Sequence, residues 1–369
     1  MKRAFRYIIF VLMALWCIGC ERKPLYLRYY APKDKCEVLT TLNIDASLQV
    51  ISNINFDIQN NLIYNWNEDL YGKLGYTLPT SIHGVFFKNN EKGRKVIAFE
   101  DDFTVGVTKR VMIETNTQYY ALFYNNTHRT YYDYYTSYSK CICYPEYLGT
   151  KSYDFDETFD CYMQPEEQFA VYQSIYIDSE SDSATYVMEE DGTKIYHYNM
   201  NINLEPASYI YVIQVKIEND NPTIPMVVDT IKNMVINGIP KERELFTMGT
   251  TNNRCQVKSN DVKPLINKEN YSIFAERFIT YGTMRNYESS WQTDLYLYEL
   301  GLTIHSIEGK TKDGKVNISK DLKEKPYGGV ITITLKNSAI YDFLKEETGG
   351  GFGVDVQEWN LETEVEIEI

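Results

Sequence analysis

The dominant pattern along this chain is alternation of apolar and polar residues. Leu42, Ile44, Ala46, Leu48 and Val50 fall on every second position, the period at which a strand buries one face and wets the other. Residues 53–76 are polar, with room for one helical turn. Ile82–Phe87 and Lys95–Phe99 are short β runs on either side of Asn89–Gly93, which suits a hairpin loop. Val111–Ile113 and Gln118–Tyr124 continue the pattern. Thr185–Glu189 and Thr193–Tyr198 flank Asp191-Gly192, a dipeptide matched to the tight turn of a hairpin.

The second half opens with Tyr209, Tyr211, Ile213, Val215 and Ile217 on one face, while Ile210 and Val212 begin the other. A strand apolar on both faces belongs inside a sheet. Val227–Ile236 is a further run, and Asn237-Gly238-Ile239-Pro240 is expected to turn it. Ile273–Tyr281 and Asp294–Ile307 read as strands, and Asp313-Gly314 as a hairpin turn. Ile331, Ile333 and Leu335 alternate with Thr332, Thr334 and Lys336. After Gly349-Gly350-Gly351 the alternation returns, ending with Val365, Ile367 and Ile369 against Glu364, Glu366 and Glu368. No segment demands a helix of normal length. The pattern predicts an all-β chain of two tandem antiparallel β-sandwiches. Glu205-Pro206 interrupts the β run and puts the boundary near residue 202, giving domains over 37–201 and 202–369.

The beginning of the chain is different. Lys2, Arg3 and Arg6 precede the apolar run Tyr7–Gly19. That run is shorter than the roughly 20 apolar residues a permanent span requires. A basic start, a short apolar core and a small residue before a cut make residues 1–19 a signal peptide. Gly19-Cys20 is where a bacterial lipoprotein signal is cut, leaving lipid on the thiol of Cys20; Cys17 stands where such signals usually hold Leu or Val. Residues 20–36 are basic and carry Pro24 and Pro32, a tether or a loosely packed first strand. A single acyl chain anchors weakly, whereas the lipoprotein modification supplies several.

Charge and composition narrow the partners. The formal net charge is −14, and it becomes more negative once the three cations of the signal are removed. Such a chain repels phosphate backbones, so no nucleic-acid partner is expected, and membrane attachment rests on the lipid. Apart from Cys17 and Cys20 the cysteines are Cys36, Cys141, Cys143, Cys161 and Cys255. An odd, unevenly spread set is not a disulfide framework, and Cys141-Ile142-Cys143 lacks the two-residue gap of zinc and redox motifs. Buried free thiols are expected, with room for one long-range bridge. Tyrosine stands out at 33 copies, twelve of them between Tyr119 and Tyr162. Tyr131, Tyr132, Tyr134 and Tyr135 form a candidate ligand face, since tyrosines stack on sugars and pack into interfaces. The plainer reading makes them amphipathic cover for edge strands and loops.

Catalysis finds no support. The four histidines, His83, His128, His197 and His305, form no metal-binding pair, and no nucleophile elbow or phosphate loop is present. The acidic groups Asp154, Asp156, Glu157 and Asp160, and Asp178, Glu180 and Asp182, lack the Gly and distal Glu of a calcium loop. They read as solvated loops. No enzyme activity, metal or cofactor is expected.

Several stretches together carry a family resemblance. They are Cys20-Glu21-Arg22-Lys23, the strand Tyr120–Asn125, the aromatic-Gly element Phe278–Gly282, the hairpin Asp294–Ile318, and the ending Gly349–Trp359 with its glycine triplet, V-x-V strand and tryptophan. These resemble a Bacteroidetes lipoprotein family of unknown function related to the fimbrillins, which are pilus and adhesin subunits. The resemblance covers nearly the whole mature chain and is most specific at the C-terminus. It implies two transthyretin-like sandwiches, export to the outer membrane and a cell-surface role in adhesion. Assembly by strand donation from a neighbouring pilus subunit is implied as well, with Leu361–Ile369 as the candidate donor. In pilus-forming relatives a surface protease cuts after an arginine, and Arg22 and Arg28 lie near the corresponding place. The alternative is a monomeric lipoprotein that binds host or other glycans through the tyrosine-rich stretch.

Overall fold

The computed structural model describes residues 37–48, 66–134, 140–149, 159–177, 185–192, 194–259, 262–284 and 296–345. In the first half the strands are β1 (Glu37–Leu48), β2 (Ser81–Asn89), β3 (Lys95–Thr104), β4 (Lys109–Glu114), β5 (Thr117–Tyr124), β6 (Thr130–Tyr134), β7 (Cys141–Pro145), β8 (Tyr147–Gly149), β9 (Cys161–Tyr162), β10 (Phe169–Ile177), β11 (Thr185–Met188) and β12 (Lys194–Pro206). In the second they are β13 (Tyr209–Glu218), β14 (Val228–Pro240), β15 (Arg243–Glu244), β16 (Arg254–Lys258), β17 (Lys263–Asn267), β18 (Tyr271–Thr280), β19 (Glu299–Ser306), β20 (Thr311–Asn317) and β21 (Gly329–Lys336). Helices are short: α1 (Glu68–Tyr71), α2 (Ser319–Glu324) and α3 (Asn337–Lys345). The chain is therefore nearly all β, as its alternation predicts.

The first sandwich is one sheet folded over. Its order is β3-β2-β5-β10-β12-β1-β4, with β11 also on β12. The β10–β12 contact is only two residue pairs, Phe169 with Pro206 and Ala170 with Glu205. The sheet bends there, and its halves enclose a common core. Ile82, Phe86, Phe103, Phe123 and Phe169 come from one half, and Leu42, Ile44, Val111, Met200, Ile202 and Leu204 from the other. β1 runs parallel to β12 and antiparallel to β4, so the first strand lies inside its sheet.

The second sandwich stacks β17-β18-β13-β21 on β20-β19-β14-β16. Tyr211, Ile213, Val215 and Ile217 of β13 meet Ile231, Met234, Ile236, Leu300, Leu302 and Ile304. β13 lies between β18 and β21, which is why both of its faces are apolar.

The halves exchange segments. Between β5 and β10 the chain leaves the first sandwich: β9 pairs in parallel with β16, and β7 pairs with β15. In return, Leu245, Phe246 and Met248 pack with Val85, Leu122, Tyr124 and Ala170 on the outer face of the first sandwich. Residue 202 lies inside β12, which ends at Pro206, and Ala207-Ser208 leads into β13.

Two turn expectations are corrected. Asn237-Gly238 does not end a strand. β14 runs through it with a register shift between Asn237 and Ile239, and Gly238 takes φ 82, so the dipeptide makes a bulge. Asp313-Gly314 lies within β20. The bend comes earlier, where Gly309 has φ 82 and Gly309 N–H donates to Ser306 O at 2.9 Å. Asn337–Lys345 is a nine-residue helix where no helix was expected; Asn337, Ile340 and Leu344 bury one of its faces.

Candidate interaction surface

The tyrosine-rich stretch splits by position. β6, β7 and β15 form a three-stranded sheet, and strand alternation sends neighbouring tyrosines to opposite sides. Tyr131 is 52% exposed and stacks on Tyr144, with ring centroids 5.6 Å apart and planes 22° apart. Tyr132 turns inward. Its hydroxyl lies 2.8 Å from Gln168 Oε1 and 2.9 Å from the Asn125 carbonyl, and burial pushes its phenol above the usual range. Tyr134 belongs to β6 by its backbone. Tyr135 lies outside the described residues, as do Cys20, Arg22, Arg28, Cys36, Leu361–Ile369 and most of both acidic loops. Of the described candidates, Tyr131 lies at the surface against Tyr144, while Tyr132 belongs to the frame.

That frame is a polar knot where the halves meet. Asn125, at the end of β5, donates through Nδ2 to Glu167 O at 2.7 Å. Its Oδ1 accepts from the Phe169 N–H at 2.6 Å and from Gln168 Nε2 at 2.9 Å. The Gln168 N–H donates to Ser208 Oγ at 2.8 Å, and Ser208 Oγ donates to Glu166 O at 2.9 Å. Arg243 adds a second tie. It is 1% exposed, donates from Nη2 to Tyr209 Oη at 2.9 Å and reaches Tyr281 O at 3.5 Å, while its backbone pairs with Cys143. Nothing in the alternation pattern marks Arg243. Asn125 stands in the strand Tyr120–Asn125 that carries the family resemblance, but only the folded chain shows what it holds.

The described cysteines, Cys141, Cys143, Cys161 and Cys255, are buried and form no disulfide with one another. Burial pushes the Cys143 thiol up to about 12. It pushes Cys141 and Cys255 up as well. These thiols stay protonated and pack as small apolar groups. His83 Nδ1 lies 2.7 Å from Asp102 Oδ1. His305, in β19, lies 3.0 Å from Thr311 Oγ1, and burial lowers its pKa. Among the described residues no group of three or more His, Cys, Asp or Glu could hold a metal ion, and no helix is long and apolar enough to cross a membrane.

A cleft of about 510 Å³ opens along the seam, lined by Tyr71, Arg129, Gln164, Glu166, Glu167 and Arg277 among others. Its charges are engaged with one another. Arg277 Nη2 lies 2.9 Å from Glu167 Oε1 and Arg129 Nε 3.8 Å from Glu166 Oε1, and the Arg129 backbone N–H also donates to Glu166 Oε2 at 2.8 Å. The cleft is a cross-braced joint.

The rims of the sheets are less uniform. Natural end strands carry charge, proline or bulges that discourage pairing with another chain. β17 carries Pro264 and a register shift. β20 carries Lys312, Asp313 and Lys315, and β4 carries Lys109 and Arg110. β3 has a register shift beside Ala98 and the run Glu100-Asp101-Asp102. β21 differs: Ile331–Leu335 has no charge and no proline, and its register with β13 is unbroken over eight residues. Among the described residues no strand flanks β21 on its outer side.

Neither a family model nor a curated protein matches the sequence. Among solved structures, an adhesin candidate from Bacteroides ovatus is 14% identical, with a TM-score of 0.48 over 86% of this chain and 96% of that one. The fimbrial anchor protein Mfa2 from Porphyromonas gingivalis is 10% identical, with a TM-score of 0.40 over 82% and 91%. A candidate polysaccharide-binding protein from Bacteroides thetaiotaomicron is 8% identical, with a TM-score of 0.40 over 81% and 92%. At these identities and scores the likeness assigns no residue and no function.

Proposed function

We propose that this chain is a non-enzymatic adhesion or assembly subunit of the bacterial surface, tied to the outer membrane by lipid on Cys20. It meets partner chains by strand addition at β21. The observation that carries the proposal is the unguarded stretch Ile331–Leu335. A strand at the end of a sheet presents a row of backbone donors and acceptors, and an added strand can satisfy them. Leu361–Ile369, with apolar residues on every second position from Val365 onward, has the pattern of such a strand. Arg22 and Arg28 are the candidate positions for a processing cut ahead of β1.

Deletion of residues 361–369 tests the reading by sedimentation velocity and thermal melting. Under strand donation, the shortened protein keeps its melting temperature and loses concentration-dependent association. If it fails to fold, the tail is the last strand of its own sandwich. A full-length protein that stays monomeric at every concentration sinks the assembly role.

A further inference from the structure

The outer face of the first sandwich carries an unusual set of side chains. On β12, Met200, Ile202 and Leu204 enter the core, while Asn199, Asn201 and Asn203 are exposed. On the parallel neighbour β1, Leu42 and Ile44 enter the core, and Asn43, Asp45 and Ser47 point the other way. The register places these six opposite one another in three rows: Asn43 with Asn199, Asp45 with Asn201, Ser47 with Asn203. Asn43 Nδ2 donates to Asn199 Oδ1 at 3.3 Å, and Ser47 Oγ donates to Asn203 Oδ1 at 3.2 Å. Asn43 Oδ1 is shielded and has no partner. Arg110, opposite Thr41 in the row before Asn43, pairs with Glu189 at 3.0 Å.

Two features set this surface apart from an ordinary wet sheet face. Asn and Asp are depleted from strands, because they fit the pleated surface poorly. Elsewhere the same chain turns Thr332, Thr334 and Lys336 outward on β21, as an ordinary solvated strand does. Parallel strand pairs are also usually covered on both faces, yet this pair leaves its amide face exposed. Poor β formers therefore occupy consecutive outward positions on two strands paired with each other.

We infer that this amide ladder is a binding face for a neutral, hydroxyl-rich chain, a polysaccharide. A side-chain amide offers both donors and acceptors, as a sugar hydroxyl does, so a row of amides can pair with hydroxyls in either sense. Three rows span roughly 13 Å along the strands, enough for a short run of sugar units. Asp45 is the one charged residue among the six, and the nearby Arg110–Glu189 pair is neutral overall. A phosphate or other polyanion finds no cation array there, and an apolar partner finds no apolar area. The inference is independent of strand addition at β21, because it uses a different face of a different sandwich.

Affinity electrophoresis of the purified protein through gels containing dextran, α-mannan or laminarin tests it, with polygalacturonate as the anionic contrast. At least one neutral polysaccharide retards the protein, and polygalacturonate does not. The double variant N199T/N201T weakens retardation by roughly tenfold or more, as loss of two polar pairings does, and its melting temperature rises because Thr suits a strand better than Asn. Thr334→Lys, on the β21 rim, leaves retardation unchanged whatever it does to association, so the two readings fail separately. No retardation by any of the three neutral polymers overturns the inference. So does full retardation of N199T/N201T, or a fall in its melting temperature, which would make the ladder structural. A change in its sedimentation would assign the face to a second copy instead, and equally overturn it.

Discussion

Replacing Asn125 with Ala tests whether the polar knot holds the passage between the halves. Asn125 is 7% exposed and makes three side-chain hydrogen bonds. After substitution Gln168 Nε2 keeps a partner, the Asn125 backbone carbonyl at 2.7 Å. Glu167 O loses its donor at 2.7 Å, but Glu167 is only partly buried and water can replace it. The Phe169 N–H loses its acceptor at 2.6 Å, and Phe169 is 1% exposed. One buried orphaned N–H costs about 1–3 kcal/mol, and the other losses bring the sum to roughly 2–4 kcal/mol. For a sandwich of this size that corresponds to a fall of roughly 5–15 °C in melting temperature. Urea and thermal unfolding followed by circular dichroism read both quantities. Asn125→Asp sharpens the test. Its carboxylate still accepts from Phe169 but faces Glu167 O without a proton. Protonation restores a donor, so the folded-state pKa of the new carboxyl is raised above its unfolded value. The Asp variant is therefore closest to wild type below the unfolded carboxyl pKa and weakens as pH rises through the folded one. An Ala variant that unfolds at the wild-type midpoint would refute the claim that this knot bears the junction.

Other outcomes follow from the packing. Gly84→Ala puts a Cβ 2.9 Å from both Phe103 Cε2 and Phe123 Cε1, and differential scanning calorimetry should show a destabilisation of about 1–3 kcal/mol. Iodoacetamide at about pH 8 should leave Cys141, Cys143 and Cys255 unlabelled in the folded protein and label them in urea, because the thiolate is the reactive form and burial raises all three thiols. The Cys143 thiol is raised from 9.0 to about 12, so its contribution to stability is complete below about pH 9 and declines as pH climbs toward 12; a melting temperature flat across that alkaline range would contradict its burial.

Alternation made the strands legible where one face is dry. β13 and β21 appear in the sequence almost as they stand in the fold, while β1 begins at Glu37, five residues before the alternation read from Leu42. The same signal is blind to what a positive φ is used for. Asn237-Gly238 has the chemistry of a hairpin turn, but a bulge also places a glycine in the left-handed region. A Cβ at Gly238 would lie 2.5 Å from Leu297 O, a closeness only the folded chain reveals. At Asp313-Gly314 the aspartate accepts from Thr303 Oγ1 at 2.6 Å across the sheet, so an apparent turn residue is a cross-strand partner. Asn337–Lys345 begins directly after β21, and its buried residues recur at helical spacing over too short a length to stand out. The candidate surfaces were the least legible. Tyr131 and Tyr132 are adjacent and of one type, yet one faces solvent and the other closes a buried network.

The segment exchange between the sandwiches has a consequence for any surface role. A tandem joined only through Ala207-Ser208 would flex at that point, as domains with small contacts do. Here the joint is braced from both sides. Trp66, Tyr71 and Leu74 from the first half pack with Val212, Ile273 and Ala275 on the outer face of the second sandwich. Arg277 in β18 donates to Lys73 O at 2.6 Å and pairs with Glu167. The Tyr76 hydroxyl accepts from the Ile210 N–H at 3.2 Å, which ties the start of β13 to the first half. β9 contributes two residues to the sheet of the second sandwich, and Leu245 and Phe246 return to cover the first. Bending at 207–208 would have to expose apolar area on two faces and break buried polar pairs together. The amide ladder of the first sandwich and the β21 rim of the second are therefore carried on one braced body, and a load applied at either passes to the other through packed side chains.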